Sequence, residues 1–107
     1  MKQTANDQAI IDLYWQRDER AIKETDRAYR ARLLSLAKNL LHDAQDAEEV
    51  LNDTYVRVWN SIPPARPDSL KAYLLSIMRK TAISMQERAR NASTEQFQKI
   101  LLSIIKH

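Results

Sequence analysis

The chain of 107 residues contains no glycine and no cysteine, and its three prolines all fall between Pro63 and Pro67. Without glycine the usual material for primed hairpin turns and phosphate-cradling loops is missing, which excludes a meander of strands and a P-loop. Without cysteine there is no disulfide, no thiolate metal site and no cysteine nucleophile, and a reducing, cytoplasmic setting is the expectation. Long apolar runs are lacking too. The longest, over residues 100–105, is too short to span a bilayer, and MKQTANDQ has no apolar run behind its lysine, so no membrane partner is expected.

Histidine is scarce, and the two present, His42 and His107, have no partner at metal-ligand spacing. Ser/His/Asp and HExxH patterns are absent, and the carboxylates sit in helix caps and acidic faces. The chain is therefore expected to be no enzyme, with no catalytic residue, metal or cofactor. What remains is abundant Ala, Leu, Glu, Gln, Lys and Arg, a helix-forming composition throughout. The expectation is an all-α bundle of four to five helices, a domain over residues 1–92 followed by an amphipathic helix over 93–107. A chain of this length buries roughly two-thirds of the surface it exposes when unfolded.

The formal charge is +3, unevenly distributed. Residues 1–67 carry ten basic and eleven acidic side chains, residues 68–107 seven basic and three acidic. An acidic patch on one helix and a basic excess on a later one point to two partners of opposite charge, or one composite partner.

The stretch 46–59, DAEEVLNDTYVRVW, organises the rest. Asp46 and Glu49 have the spacing of a capping box. Val50, Leu51, Tyr55, Val58, Trp59 and Ile62 then form one helical stripe that points into a core. The opposite face carries Glu48, Glu49, Asn52, Asp53, Val56, Arg57 and Asn60. Between Asp43 and Asp53 there are five carboxylates and no Lys or Arg. The helix macrodipole alone favours carboxylates there, so by periodicity this face reads as solvated surface.

Asp7 is placed to cap a short first helix carrying Ile10, Ile11, Tyr14 and Trp15 and ending near Arg17. Asp18 then caps a longer one through about Leu41, buried through Ile22, Tyr29, Leu33, Leu36, Ala37 and Leu40. A short link at 42–45 leads into the central helix and favours antiparallel neighbours. After Ile62 the sequence PPARP stops the helix and imposes a stiff loop.

Asp68 or Ser69 caps the next helix, expected to run to about Arg90. It buries Leu70, Tyr73, Leu74, Ile77, Met78, Thr81 and Met85 and presents Ser76, Arg79, Lys80, Ile83 and Arg90 outward, with Lys71 flanking and Glu87 of opposite sign. Such a face suits phosphates, though many soluble helices carry one. Ser93 or Thr94 caps a last segment whose Phe97, Ile100, Leu101, Ile104 and Ile105 need an apolar partner. Packing on the preceding helices is the default, and docking on another chain or a second copy the alternative.

Taken together, YWQRD, DAQDAEEVLNDTYVRVWNSIPPARP and SLKAYLLSIMRKTAIS resemble region 2 of bacterial RNA polymerase sigma factors of the extracytoplasmic-function type, over about residues 10–90. The resemblance implies that the central helix docks on the clamp coiled coil of the largest catalytic subunit of core polymerase, a basic surface. Core-binding roles then fall by position on Glu49, Asn52, Asp53 and Val56, with Asp46 peripheral, while Tyr55 and Trp59 stay in the core. It implies also that the proline loop and following helix engage the minus-ten promoter element and hold an unstacked base, through Ala65, Arg66, Arg79, Lys80, Ile83 and Ser84; Arg90 extends that basic face.

Three positions depart from the family pattern. Lys80 stands where Asn is common, Ser84 where Asp is common, and Glu87 where a basic residue is usual, so base contacts and phosphate attraction are altered. The second helical domain that reads the minus-thirty-five element in these factors does not follow. That leaves a fragment, a truncated product or half of a split factor, with an anti-sigma factor or a separate second sigma domain as further partners. A protein-interaction module that binds polymerase or an anti-sigma factor without opening a promoter is the alternative function.

Overall fold

In the computed structural model, which describes the backbone of residues 2–106 and the side chains of residues 6–106, four helices follow one another. They are α1 (Lys2–Trp15), α2 (Arg20–Leu41), α3 (Ala44–Ser61) and α4 (Leu70–Lys106). No strand occurs among the described residues, and no helix there is long and apolar enough to cross a membrane. His107, read above as a histidine without a partner at metal-ligand spacing, lies outside the described residues.

α3 is the middle of the body and packs against both α2 and α4. Its stripe of Val50, Leu51, Val58 and Ile62 is fully buried against Leu33 from α2 and Leu70, Leu74 and Met78 from α4, with Ile11 and Tyr14 supplied by α1. These positions recur every three or four residues, so one face of each helix closes the core. Ile22 and Leu36 are only partly buried and Leu40 is exposed, so the α2 stripe is narrower than its apolar pattern.

Helix starts shift from the expected places for local reasons. Asp7 does not cap α1: it lies inside the helix, and its buried carboxylate accepts the Tyr29 hydroxyl at 2.7 and 2.8 Å. The cap of α3 is Asp43, whose side chain accepts the backbone N–H of Asp46 at 2.8 Å, and not Asp46 itself. The Asp43/Asp46 pair has the same three-residue spacing as Asp46/Glu49, and α2 has already ended at His42, so nothing delays the next helix. The N-cap of α2 is Glu19, which makes no side-chain cap hydrogen bond, and not Asp18, which stands one residue earlier and whose carboxylate accepts the backbone N–H of Arg20 at 2.9 Å. The side-chain and backbone hydrogen bonds from Arg20 also hold the Asp18 carboxyl below the usual carboxylate range. Ser69 accepts the N–H of Ala72 at the start of α4.

With no glycine available, the two backbone positions that need a left-handed conformation are occupied by Arg17 and His42, each at φ 57°. Both end helices, the usual site for that conformation, at a cost of roughly 1–2 kcal/mol for a residue with a Cβ.

At Arg17 the turn aims a guanidinium at the far end of α3. Its Nη1 donates to the carbonyls of Trp59 and Ile62, both at 2.8 Å, and the group lies 3.7 Å from the centre of the Trp59 ring. The carbonyls that α3 leaves free before the proline loop are thus satisfied by a charged donor from the α1–α2 junction. Arg17→Ala should lower stability by about 2 kcal/mol, and Arg17→Lys should recover only part because an ammonium lacks the planar group that stacks on the Trp59 ring. Thermal melts of the three proteins check this.

α4 does not stop near Arg90. It continues to Lys106 as one helix of 37 residues, and the expected cap at Thr94 is replaced by a hydroxyl that donates back to the Arg90 carbonyl at 3.0 Å. No glycine or proline follows Pro67, so nothing in the chain breaks it. The last hydrogen bond from α4 to the body is Gln86 Nε2 to the Leu40 carbonyl at 3.1 Å. Every described residue after Met85 is exposed, so the 93–106 stretch does not pack on the preceding helices.

Candidate functional site

The body leaves two charged faces outward, on adjacent helices. On α3, Asp46, Glu49, Asn52 and Val56 are exposed and Asp53 is half-buried. At about 100° per residue they share one side of the helix. Among the described residues no ion pair engages Asp46, Glu49 or Asp53. Val56, 58 % exposed, is an apolar spot within this acidic surface. A surface of that make-up suits a partner that brings cations around an apolar contact.

Glu48 leaves this set. Its carboxylate is held by Arg30 of α2 at 2.7 and 2.9 Å, and Arg30 also reaches Asp26 at 3.3 Å. Asp26 in turn accepts the Tyr55 hydroxyl at 2.8 Å. Burial first, and then the hydrogen bond to Asp26, push that hydroxyl well above its ordinary range, so Tyr55 stays a neutral donor. This network fixes the rotation of α3 relative to α2, and with it which carboxylates face out. Trp59 packs at the edge of the core, half-buried, with its ring centre 6.2 Å from that of Tyr14.

On α4, Arg79, Lys80, Ile83 and Arg90 are exposed and Ser84 is half-buried. A shallow hollow is lined by Ala72, Leu75, Ser76, Arg79, Lys80 and Ile83. None of the α4 cations is in an ion pair among the described residues. Exposed cations around a small apolar hollow can meet phosphates and a base face together. Arg90 lies on the same side but four residues past Gln86, on the free part of the helix.

The proline loop is tied down differently from expectation. Ala65 is half-buried, with one side packed against the core. The Arg66 guanidinium pairs with Asp12 of α1 at 2.6 Å and lies 5.5 Å from the centre of the Trp15 ring. Tyr73 adds a hydrogen bond to Ser61 at 2.7 Å across the loop's base. The loop is therefore held to α1 and α4, and Arg66 reaches a nucleic acid only by sharing or leaving Asp12. Neither the Arg66–Asp12 pair nor the Arg17 clamp has a local signal in the sequence, since their partners lie 54, 42 and 45 residues away.

Against known proteins, a family model described as Sigma-70 region 2 matches residues 26–92, from within α2 through most of the body to the exposed part of α4. No curated protein and no solved structure matches.

Proposed function

The chain belongs to the sigma-70 region 2 family, and from that membership we propose that it docks on core RNA polymerase through the outward stripe of α3. The family is a non-enzymatic domain of transcription initiation factors that in general binds core polymerase and the minus-ten promoter element. Within it, we assign the polymerase contact to Asp46, Glu49, Asn52, Asp53 and Val56, facing the clamp coiled coil of the largest subunit as in the extracytoplasmic-function type. The observation that carries this is the set of carboxylates Asp46, Glu49 and Asp53, in no ion pair among the described residues, around an exposed valine. Co-migration of the chain with purified core polymerase on a sizing column at low salt tests it. A folded chain that elutes alone is not a working core-binding module.

Promoter contact is assigned to the α4 face of Arg79, Lys80, Ile83 and Ser84, with Ala65, Arg66 and Arg90 at its margins, helping to hold the displaced strand. A fluorescent single-stranded minus-ten oligonucleotide should bind saturably in the presence of core. Arg79→Ala or Lys80→Ala should each weaken binding about fivefold to tenfold through a lost phosphate contact, with a shallower salt dependence.

A second reading has its own support. Arg66 is already paired with Asp12, and Lys80, Ser84 and Glu87 depart from the family pattern. A module that binds polymerase, or an anti-sigma factor, without opening DNA would keep the α3 interaction and show no saturable oligonucleotide binding. Binding to core that is intact while both α4 substitutions are silent favours it.

A further inference from the structure

Of the four apolar residues that give α1 its stripe, Ile10, Ile11 and Tyr14 are buried, whereas Trp15 stays 40 % exposed at the end of the helix. Its ring takes no part in the core. Beside it lies the Arg66 guanidinium, 5.5 Å from the ring centre, which Asp12 holds at 2.6 Å from the preceding turn of α1. An indole face, a cation and a carboxylate thus meet on the outside of the body, where the proline loop leads into α4.

An open aromatic ring beside an arginine is the composition that takes single-stranded nucleic acid. The ring stacks a base of any kind, and the cation neutralises a neighbouring phosphate. We propose that Trp15 stacks an unstacked base of a single DNA strand while Arg66 leaves Asp12 for a phosphate of the same strand. This rests on the promoter contact assigned to α4 and extends that contact across the proline loop onto α1. Arg66 stands just before Leu70, the first residue of α4, and the hollow on that helix begins at Ala72.

The exchange is nearly neutral in energy. Arg66 and Asp12 are both half-exposed, and an ion pair open to water contributes little to stability. The loop itself need not move, because the Tyr73 hydroxyl still bridges to Ser61 at 2.7 Å and only the Arg66 side chain swings. Asp12 then acts as a competitor, occupying Arg66 until a phosphate takes its place. A clamp that merely ties the loop to α1 makes the opposite prediction, since loosening it disorders the loop and weakens binding.

Titration of the full chain, with core polymerase, against a fluorescent single-stranded minus-ten oligonucleotide tests this, with 2-aminopurine placed at one base after another in a parallel set. Trp15→Leu should weaken binding at least about fivefold, and Trp15→Phe should keep most of it. Quenching of 2-aminopurine at one position should disappear in Trp15→Leu and persist in Trp15→Phe, a signature that a loosened loop does not produce. Asp12→Asn should tighten binding severalfold, but not in a chain that also carries Arg66→Ala. Thermal melts verify that each variant is folded.

Full binding or unchanged quenching in Trp15→Leu, with Arg79→Ala still weakening the complex, overturns the inference and leaves the α4 contact standing. Equal tightening by Asp12→Asn with and without Arg66 means simple repulsion of the strand and overturns the exchange. Weaker binding by Asp12→Asn means a structural clamp and overturns it too. A parent chain with no saturable binding overturns the α4 assignment and this inference together.

Discussion

Asp53→Arg should abolish co-migration with core polymerase, weakening binding by a factor on the order of a hundred or more. Asp53 sits near the middle of the acidic stripe, between Glu49 and Val56, and is in no ion pair among the described residues. Reversal removes an attraction to a cationic partner and adds a like-charge contact, and juxtaposed like charges at an interface cost several kcal/mol. The fold should hardly notice. Arginine is a good helix former, and a half-exposed surface position away from caps and networks usually shifts stability by no more than about 0.5 kcal/mol.

Asp53→Asn, which removes the charge without reversing it, should fall between the two proteins. A matching thermal melt for all three separates lost binding from lost structure. Full binding by Asp53→Arg would remove the α3 stripe from the interface. Uniform loss in both variants, including at low salt where electrostatics are strongest, would point to shape at Asp53 instead of charge.

The second large effect is alkaline unfolding. Tyr14, Tyr29 and Tyr55 are all buried, and each hydroxyl is hydrogen-bonded: Tyr14 with Thr25 Oγ1 at 2.7 Å, Tyr29 with Asp7, and Tyr55 with Asp26. Burial is the main force raising all three above the ordinary tyrosine value of 10.0. At Tyr29 and Tyr55 the hydrogen bond donated to a carboxylate raises it further, because ionisation would lose that bond and place two anions together.

The sign follows from linkage. The unfolded chain releases these protons near pH 10 and the folded one only at higher pH, so their contribution is complete below about pH 10 and declines above it. A tyrosine that keeps its proton in the folded state removes about 1.4 kcal/mol per pH unit once its unfolded counterpart is ionised, so Tyr29 and Tyr55 together cost roughly 3 kcal/mol by pH 11, and Tyr14 adds to that. That is a large share of the 5–15 kcal/mol typical of a domain. The melting temperature should drop by on the order of 15 °C between pH 9 and pH 11.

Tyr14→Phe isolates the tyrosine part from the titration of lysines, which both proteins share. Thr25 still donates to the Ala21 carbonyl at 2.8 Å, so the variant should lose only about 1 kcal/mol at neutral pH. Its stability should then fall less steeply above pH 10 than that of the parent chain. Equal slopes in the two proteins would show that Tyr14 ionises as readily folded as unfolded.

Much of the molecule was legible because helices are local. The absence of glycine, the confinement of proline to 63–67, and the three-and-four spacing of Val50, Leu51, Val58 and Ile62 depend on near neighbours along the chain, so the all-α class, the α3 core stripe and both charged faces could be read directly. Family likeness was legible for the same reason, since its most specific piece is the contiguous run from α3 into the proline loop. Cap positions were the weak point. Asp43 and Asp46 offer the same spacing three residues apart, and Thr94 can cap a helix or bond back within one, so local chemistry left both choices open.

Only the tertiary structure decided which polar groups are spent inside the molecule and which remain for a partner. Asp7 serves Tyr29, Glu48 serves Arg30, Arg17 closes the end of α3 and Arg66 is held by Asp12, whereas Asp46, Glu49, Asp53, Arg79 and Lys80 are left without an ion pair among the described residues. The sequence by itself determined the helices and their two-faced character, because a helix's pattern is set within a few turns. The pairing of charges across 18 to 54 residues depends on how those helices rotate and pack against one another, and no periodicity along a single chain encodes that.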